Sequence, residues 1–385
     1  MRARSLSRWA AACALLLGAA AAVFAPPAEE RRWRETLYVF GTLVEIEIHG
    51  ARRADAASAS AAISAAFDRL HRDWHAWRPG GALSRVNDAI AAGRRAEAGL
   101  ELVSLLARAQ ALSRDSGGLF EPAIGGLIAA WGFHADVPPS GAPPSDAEIA
   151  SWVEARPRMS DLVIEGDQVW SRNRAVRIDL GGFAKGAALD QAAAMLKARG
   201  IESAVLNAGG DLIVIGRRGA RPWRAAIRDP FAWGAVAGVS LRPGEALFTS
   251  GNYERFLEQD GERFSHILDP RSGRPVAEIV SASVLDVDGA KADAAATALS
   301  VAGREGWLET ARALGIEAAL LIDADGVIHM TPAMRARAEI LREGATILVA
   351  DPTTPPGADM AARRRGRGRQ VSDKADIGDN LSKIQ

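Results

Sequence analysis

The chain has 385 residues, and its 47 basic and 47 acidic side chains give a formal net charge of zero. This balance argues against a role for the whole chain in nucleic-acid binding, because such proteins usually carry an excess of basic residues. Hydrophobic residues make up 48% and charged residues 24%, as in an ordinary globular protein with one large domain or two smaller ones. The single cysteine, Cys13, excludes an intrachain disulfide and a metal site made of several cysteines.

Residues 1–27 have the pattern of a targeting segment. Arg2, Arg4 and Arg8 precede an uncharged run, 9–27, that is rich in alanine and leucine. A basic start followed by a short apolar core is typical of a secretory signal, and the run is also long enough for an N-terminal membrane anchor. Both alternatives stay open. In either case the arginines keep the N-terminus in the cytoplasm, so the rest of the chain is expected to be exported.

The first half of the chain is predicted to form one strand followed by helices. Alternating apolar and polar residues over 37–49 predict a strand with one buried face. Helical spacing of apolar residues predicts helices over 54–77 and 101–113. Ser145, with Glu148 three residues later, predicts a capped helix start.

From residue 162 the pattern changes to short strands separated by glycine or asparagine turns. The predicted strands are 162–165, 168–171, 176–180, 204–207, 212–216, 223–228, 235–241 and 246–250. Predicted helices over 187–200, 291–301 and 307–314 and a hairpin over 318–330 complete the series. Residues 351–385 are rich in arginine, proline and glycine and poor in apolar residues, which predicts disorder, so the folded domain is expected to span 33–348.

The segment 178–188, Ile-Asp-Leu-Gly-Gly-Phe-Ala-Lys-Gly-Ala-Ala, places a glycine-rich turn between an apolar strand and a helix. Such a turn lets backbone N–H groups approach an anion, and the helix N-terminus adds partial positive charge. Lys185 lies inside the turn, where its ammonium group can reach a phosphate. The alternative is a tight turn without a ligand.

Four further segments carry chemically useful side chains: 206–212, 249–256, 264–276 and 293–297. Asp293 and Thr297 are four residues apart and therefore share one face of a helix, although residues of these types near a helix start are often caps. His266 alone is compatible with a packed histidine. Taken together, the five segments suit a nucleotide diphosphate and Mg²⁺, because oxygen ligands without cysteine or clustered histidine are the set that Mg²⁺ prefers.

The combination of these segments resembles the ApbE family, the flavin transferases that move FMN from FAD onto a protein threonine. Besides the glycine-rich and histidine-containing segments above, the matching motifs are Phe-Gly-Thr at 40–42, Leu-Ser-Arg-Val-Asn at 83–87, Phe-Glu-Pro-Ala-Ile-Gly at 120–125 and Trp-Gly-Phe at 131–133. The resemblance covers roughly residues 37–340, and the motifs follow in the family's order. It implies an α+β fold of mixed sheets with flanking helices, in a single catalytic domain related to the T-fold.

The resemblance also implies roles for individual residues. Gly182, Asp293 and Thr297 correspond to the metal site, in which Gly182 contributes its backbone carbonyl. His266 corresponds to the histidine that helps to deprotonate the acceptor hydroxyl, a task suited to an imidazole with a pKa near neutrality. The residues in FAD-contacting positions are Phe40, Trp77, Leu119, Phe120, Glu121, Asp179, Lys185 and Leu268.

Three positions depart from the usual family pattern. Phe40 replaces a common methionine, Glu121 replaces a frequent aspartate, and Phe264 replaces a frequent tyrosine. None of these changes removes an expected metal ligand.

The resemblance implies a Mg²⁺-dependent enzyme that uses FAD as substrate, transfers FMN to a threonine of an acceptor flavoprotein and releases AMP. The implied acceptors carry a threonine-containing flavinylation motif, as in subunits of respiratory Na⁺- or H⁺-pumping redox complexes. The expected location is the periplasm or the outer face of the inner membrane, with association through the N-terminus. Two alternatives remain: an FAD pyrophosphatase that produces FMN and AMP, and a non-catalytic flavin-binding protein.

Overall fold

The computed structural model describes residues 32–134 and 139–353. The predicted targeting segment and the predicted tail beyond residue 353 lie outside these ranges. Among the helices of the described ranges, none is both long enough and apolar enough to cross a bilayer.

Seventeen strands are found in the described ranges. They are β1 (Arg32–Val39), β2 (Thr42–His49), β3 (Ala96–Glu97), β4 (Leu162–Glu165), β5 (Gln168–Ser171), β6 (Ala204–Ala208), β7 (Asp211–Ile215), β8 (Trp223–Arg228), β9 (Ala235–Leu241), β10 (Ala246–Gly251), β11 (Phe256–Gln259), β12 (Glu262–Ser265), β13 (Ile279–Asp286), β14 (Ala318–Asp323), β15 (Ile328–Met330), β16 (Ala338–Ile340) and β17 (Ile347–Val349).

Eight α-helices and a 3₁₀ turn at Met159–Asp161 accompany these strands in the same ranges. The helices are α1 (Arg53–Trp74), α2 (Ala82–Ala91), α3 (Leu100–Asp115), α4 (Gly125–Ala130), α5 (Asp146–Ala155), α6 (Ala184–Ala198), α7 (Gly289–Ala313) and α8 (Pro332–Arg335).

A nine-stranded sheet in the order β1-β2-β6-β7-β10-β13-β14-β15-β17 organises the fold. Its neighbouring strands are antiparallel except for β15 and β17, which run parallel. Two three-stranded sheets, β16-β9-β8 and β3-β5-β4, and the β11-β12 hairpin complete the strand pairing of the described residues. The α+β fold class is therefore confirmed.

Both faces of the nine-stranded sheet are buried. In β14, Ala319 and Leu321 belong to the larger hydrophobic cluster, which contains residues of α1, α6 and α7. The intervening Leu320 and Ile322 belong to a second cluster formed with the β16-β9-β8 sheet. Because successive strand residues point to opposite faces, this alternation places the nine-stranded sheet between a helical layer and a smaller sheet.

The N-terminal ends of α6 and α7 meet at a pair of glycines. A Cβ atom at Gly186 would lie 2.3 Å from the carbonyl oxygen of Gly289, so no larger residue fits without movement of the backbone. The first segment of α7 is rich in buried alanines, and their small side chains let the helix lie close to the sheet. This contact brings the glycine-rich turn before α6 next to the start of α7.

The prediction of one strand over 37–49 is wrong. Phe40 and Gly41 have φ values of 55° and 72° and form a two-residue turn between β1 and β2. The pairing of Tyr38 with Leu43 places the ends of both strands beside this turn. Positive φ at both central positions suits the twist of a tight hairpin, and this conformation is uncommon for phenylalanine, which is why the pattern conceals the turn.

One further prediction needs correction. Residues 176–180 form no strand; Arg177 makes an isolated bridge with Ile124, and the Asn87 side chain accepts from the Ile178 N–H at 2.7 Å and donates to its carbonyl oxygen at 2.9 Å. The two helices expected over 291–301 and 307–314 are confirmed, since they lie on either side of the non-helical residue Gly303 within α7. The predicted cap of α5 is confirmed, since the Ser145 hydroxyl accepts from the Glu148 N–H at 3.3 Å.

Candidate active site

The turn before α6 is fixed by Asp179. One carboxylate oxygen of Asp179 accepts from the Trp77 indole N–H at 2.7 Å, and the other accepts from the Gly181 N–H at 2.8 Å. The Arg177 guanidinium lies over the Trp77 ring, 4.0 Å from its centroid, and its buried Nε has no hydrogen-bond partner among the described residues. Trp77 and Asp179, which are both predicted to contact FAD, are thus in direct contact with each other. Arg177, which no sequence motif indicates, lies beside them.

Lys185 and Asp211 connect the two glycine-rich turns of the site. The Lys185 ammonium group forms an ion pair with the Asp211 carboxylate, which is 3% exposed and also accepts from the Thr249 N–H at 2.9 Å. Burial by itself would lower the pKa of Lys185, but the carboxylates of Asp211 and Asp293 raise it above its ordinary value. Lys185 therefore remains a cation within a group of acidic side chains.

The three residues expected to bind metal are brought together. Asp293 is buried, and one of its oxygens accepts from the Gly186 N–H at 3.0 Å. The Thr297 hydroxyl lies 3.2 Å from the Ser250 hydroxyl, and a Cβ at Gly182 would lie 2.9 Å from the Thr297 oxygen. Gly182 is thus directly against Thr297, which is one helical turn after Asp293.

The donor set at this position is one carboxylate, one hydroxyl and the backbone of a glycine turn. Within the described residues no group of three or more His, Cys, Asp or Glu side chains suits a metal ion. Burial raises the pKa of Asp293 above its ordinary value, with Lys185 opposing and Asp211 adding to the rise. A divalent cation would favour the ionised carboxylate, so the residues present fit Mg²⁺, which needs only one or two protein carboxylates.

His266 is a neutral imidazole with one ring nitrogen already engaged. Its Nδ1 lies 2.9 Å from the Arg255 carbonyl oxygen, which requires the proton on Nδ1 and leaves Nε2 as an acceptor. Burial lowers the pKa of His266 to about 4, and the nearby charges of Arg255 and Lys185 act in the same direction. The charge of Lys185 thus influences the pKa values of both His266 and Asp293.

Several of the predicted FAD contacts are packed against the protein interior. The Phe40 ring lies 5.4 Å from that of Phe67, and the buried Phe120 ring lies 5.9 Å from that of Phe183. Leu119 is half-buried against the larger hydrophobic cluster. These three residues line the helical layer of the protein, and their contact with FAD stays a prediction.

Leu268 and Glu121 are buried as well. Leu268 belongs to a small hydrophobic cluster with residues of α4 and α5. The Glu121 carboxylate accepts from the N–H groups of Met159 and Ala123 at 2.8 and 3.2 Å and from the Ser113 hydroxyl at 3.0 Å. Burial raises the pKa of Glu121 despite these bonds, and both of its oxygens are engaged within the protein.

Asp211, Ser250 and Glu254 lie in two of the predicted site segments, 206–212 and 249–256, but no motif assigns these residues a role. The position of Asp211 directly after two glycines is the sequence feature that could have indicated a functional role for this residue. Burial raises the pKa of Glu254, and the charge of Lys185 acts against this rise, so Glu254 also lies near the ion pair. Arg177 carried no signal because it stands outside every motif.

The fold and the site define a class of protein: an α+β protein in which two helices begin beside a buried carboxylate, a threonine hydroxyl and a lysine–aspartate ion pair. The model of the ApbE family matches residues 40–320. The chain belongs to the ApbE family.

Relatives and solved structures agree with this assignment. An FAD:protein FMN transferase of Rhodobacter capsulatus is 53% identical over 89% of this chain, which spans 65% of that relative's length. One of Vibrio cholerae is 30% identical over 71% of this chain and 81% of its own length. The Thermotoga maritima ApbE protein has a TM-score of 0.73 and 27% identity, covering 80% of this chain and 99% of that one. The Pseudomonas stutzeri flavinyl transferase ApbE has a TM-score of 0.70 and 29% identity, with 80% and 96% covered.

Proposed function

We propose that the protein transfers the FMN part of FAD to a hydroxyl group of an acceptor flavoprotein and releases AMP. The observation that carries this proposal is the convergence of Gly182, Asp293 and Thr297 beside the Lys185–Asp211 ion pair, in a chain of the ApbE family. Relatives in that family are named FAD:protein FMN transferases.

The metal in this proposal is Mg²⁺, held by the Asp293 carboxylate, the Thr297 hydroxyl and the Gly182 carbonyl. When bound, such an ion polarises phosphoryl oxygens and neutralises the charge that develops at phosphorus. The buried position of Asp293 supports this role, because a carboxylate in that environment gains from a nearby cation.

The residues around the metal site bind and orient FAD. Lys185 supplies a fixed positive charge for the diphosphate, and the Trp77–Asp179 pair fixes the turn that holds it. His266 accepts the proton of the acceptor hydroxyl at Nε2, because Nδ1 already donates to Arg255. The hydroxyl oxygen forms a bond to the FMN-side phosphorus, the bond to the AMP-side bridging oxygen breaks, and AMP leaves.

The acceptor side chain is proposed to be a threonine of an exported or membrane-bound flavoprotein, such as a subunit of a respiratory Na⁺- or H⁺-pumping redox complex. The accompanying location is the periplasm or the outer face of the inner membrane, reached through residues 1–27. The support for both is the sequence pattern and the family resemblance described above.

The test is to incubate the full chain with FAD, Mg²⁺ and a candidate acceptor, and to measure acceptor-bound flavin fluorescence and AMP. We expect equal amounts of both products, and a rate at least about 100-fold lower for Asp293→Ala or in the presence of a chelator. Asp146→Ala is the matched control, since Asp146 is an exposed aspartate that forms an ion pair with Arg274. FMN and AMP without labelled acceptor would indicate hydrolysis, and transfer by Asp293→Ala at the parent rate would refute the metal assignment.

A further inference from the structure

Helix α7, which carries Asp293 and Thr297, is broken at one residue. Gly303 has φ 72° and ψ −174°, a conformation outside the helical region. A Cβ at this position would lie 2.7 Å from a carboxylate oxygen of Glu278. The break leaves carbonyl groups at the end of the first segment and N–H groups at the start of the second without helical partners.

Side chains from outside the helix bind both new ends. The Arg271 guanidinium donates to the Val301 carbonyl oxygen at 3.0 Å, and the Glu278 carboxylate accepts from the Arg304 N–H at 3.1 Å. A cation at a helix C-terminus and an anion at a helix N-terminus both match the helix dipole. The helix break is therefore stabilised on both sides, by a cation at the C-terminus of the first segment and by an anion at the N-terminus of the second.

Arg271 is itself held in a fixed orientation. Its Nε donates to one Asp269 oxygen at 2.9 Å, its Nη2 donates to the other at 2.8 Å, and its backbone N–H donates to the first at 2.8 Å. A two-point contact between guanidinium and carboxylate restricts the rotation of both groups. The bond to Val301 is thus made by a side chain that has little freedom to move.

The loop that presents Arg271 also carries His266. Within this loop the Val276 N–H donates to the Ile267 carbonyl at 2.9 Å, and the Gly273 N–H donates to the Asp269 carbonyl at 2.8 Å. These bonds make the loop a small rigid unit. A displacement at Arg271 is therefore transmitted to His266.

The Arg271–Val301 hydrogen bond connects the loop to the first segment of α7. Val301 lies one helical turn beyond Thr297 and two turns beyond Asp293, on the same side of the helix. The Arg271–Val301 bond consequently joins the loop of the histidine to the face of the helix that carries the two side-chain metal ligands.

We propose that Arg271 is a positioning residue, which holds the His266 loop against α7 at the helix break and so fixes the place of the histidine relative to Asp293 and Thr297. This proposal rests on the proposed transfer function. It assigns Arg271 its main effect on the rate of the chemical step, because Arg271 itself is not among the residues proposed to bind FAD or Mg²⁺.

The experiment compares Arg271→Ala with Arg271→Lys. We expect kcat to fall about tenfold or more in Arg271→Ala, while the KM for FAD and the half-saturating Mg²⁺ concentration stay within about twofold of the parent values. Arg271→Lys should recover part of kcat, because an ammonium group can still donate to the Val301 carbonyl but cannot hold Asp269 at two points. Arg274→Ala is the control: Arg274 lies in the same loop but forms its ion pair with Asp146 on α5, so kcat should remain unchanged.

A second measurement does not depend on turnover. The ring resonances of His266 in an NMR pH titration should show a higher pKa in Arg271→Ala than in the parent, because a loosened loop admits water to the imidazole. This readout separates the two proposals, since a parent protein without transfer activity would refute the proposed function and still allow the titration to be compared.

Two outcomes would overturn the role of Arg271. One is an Arg271→Ala protein with the kcat and the His266 titration of the parent. The other is a loss of kcat, FAD binding, Mg²⁺ binding and thermal stability all together, without recovery in Arg271→Lys, which would make Arg271 a purely structural residue.

Discussion

Lys185 is the side chain that joins the two glycine-rich turns. It stands at the start of α6, and its ion-pair partner Asp211 stands at the start of β7. Asp211 is almost fully buried, so removal of the cation would leave an uncompensated carboxylate close to Glu254 and Asp293. The same ion pair that is suited to a diphosphate is therefore also important for the stability of the metal-free protein.

We expect Lys185→Met to lower the free energy of unfolding by about 2–4 kcal/mol in the absence of Mg²⁺, because breaking a buried pair leaves one charge unpaired. The double variant Lys185→Met/Asp211→Asn should regain most of this stability, since the Asn amide oxygen can still accept from the Thr249 N–H. Urea denaturation of the parent and both variants measures the difference. Equal midpoints for the parent and Lys185→Met would mean that the ion pair contributes no net stability.

The pKa of His266 predicts how the free energy of unfolding depends on pH. Its pKa is lowered from 6.5 to about 4 in the folded protein, so the unfolded chain binds more protons between these pH values. Stability from this residue is therefore complete above about pH 6.5 and is lost as the pH falls towards 4. Between pH 7.5 and pH 5 we expect the parent to lose about 1–2 kcal/mol more unfolding free energy than His266→Gln.

Urea denaturation at the two pH values tests this expectation. His266→Gln keeps a polar side chain of similar size but does not titrate in this range, which makes it the matched control. The same pH dependence in both proteins would show that His266 has an ordinary pKa in the folded state.

At the scale of elements, α7 combines an alanine-rich segment that carries the metal ligands with a second segment beyond Gly303. The break lets the chain change direction after the site has been formed. Its capping side chains, Arg271 and Glu278, both come from the stretch between β12 and β13, so helix and loop depend on each other.

Gly303→Ala should lower the free energy of unfolding by about 1–3 kcal/mol, because alanine is strained at positive φ and its Cβ would meet the Glu278 carboxylate. Gly306→Ala is the matched control in the same helix, where the nearest atom to a new Cβ is 3.5 Å away. This second variant should be neutral or more stable by up to about 1 kcal/mol. Thermal unfolding of both proteins provides the comparison, and an equal effect of the two substitutions would contradict the role of the break.

The sequence predicted most strands and helices because their periodicity and turn residues are local. It failed where a residue adopts an unusual conformation or an unusual partner. Phe40 occupies a turn position at positive φ that normally favours glycine or asparagine. Within 176–180, the backbone N–H and carbonyl of Ile178 bond to the side chain of Asn87, which is distant in sequence.

The site residues also divide into those that a local motif indicates and those that depend on contacts between distant segments. The motifs indicated Asp293, Thr297 and Gly182 through resemblance, and the structure brings them together. The pairing of Lys185 with Asp211 and the bond from Arg271 to Val301 depend on how distant segments pack, which no local pattern contains. Glu121 was selected for FAD but is engaged by Ser113, Ala123 and Met159, and only the folded chain reveals these donors.

In the whole molecule, one face of the nine-stranded sheet packs against the helices that carry the site. The other face of this sheet packs against the smaller β16-β9-β8 sheet. The hydrophobic clusters, with the residues packed against them, and all the proposed site residues lie between residues 33 and 350. The described part of the chain thus contains a complete set of packed layers.

We expect a chain of residues 32–353 to fold with a melting temperature within about 3 °C of the full chain, because the packed layers are retained. Its rate of AMP release from FAD with a soluble acceptor should also match that of the full chain. Differential scanning calorimetry and the transfer assay test both expectations. A large loss of melting temperature would show that residues outside this range contribute to the folded domain of 33–348.

The parallel strand β17 has a consequence for where such a chain can be cut. It is three residues long, with Leu348 and Val349 41% and 47% exposed, and it occupies the outer side of β15. A chain shortened to residue 340 would uncover the main-chain donors and acceptors of Ile328–Met330 along an open sheet edge, a ready template for intermolecular pairing. Strand β17 therefore protects the edge of β15 from intermolecular pairing, and truncation on the N-terminal side of β17 should promote aggregation.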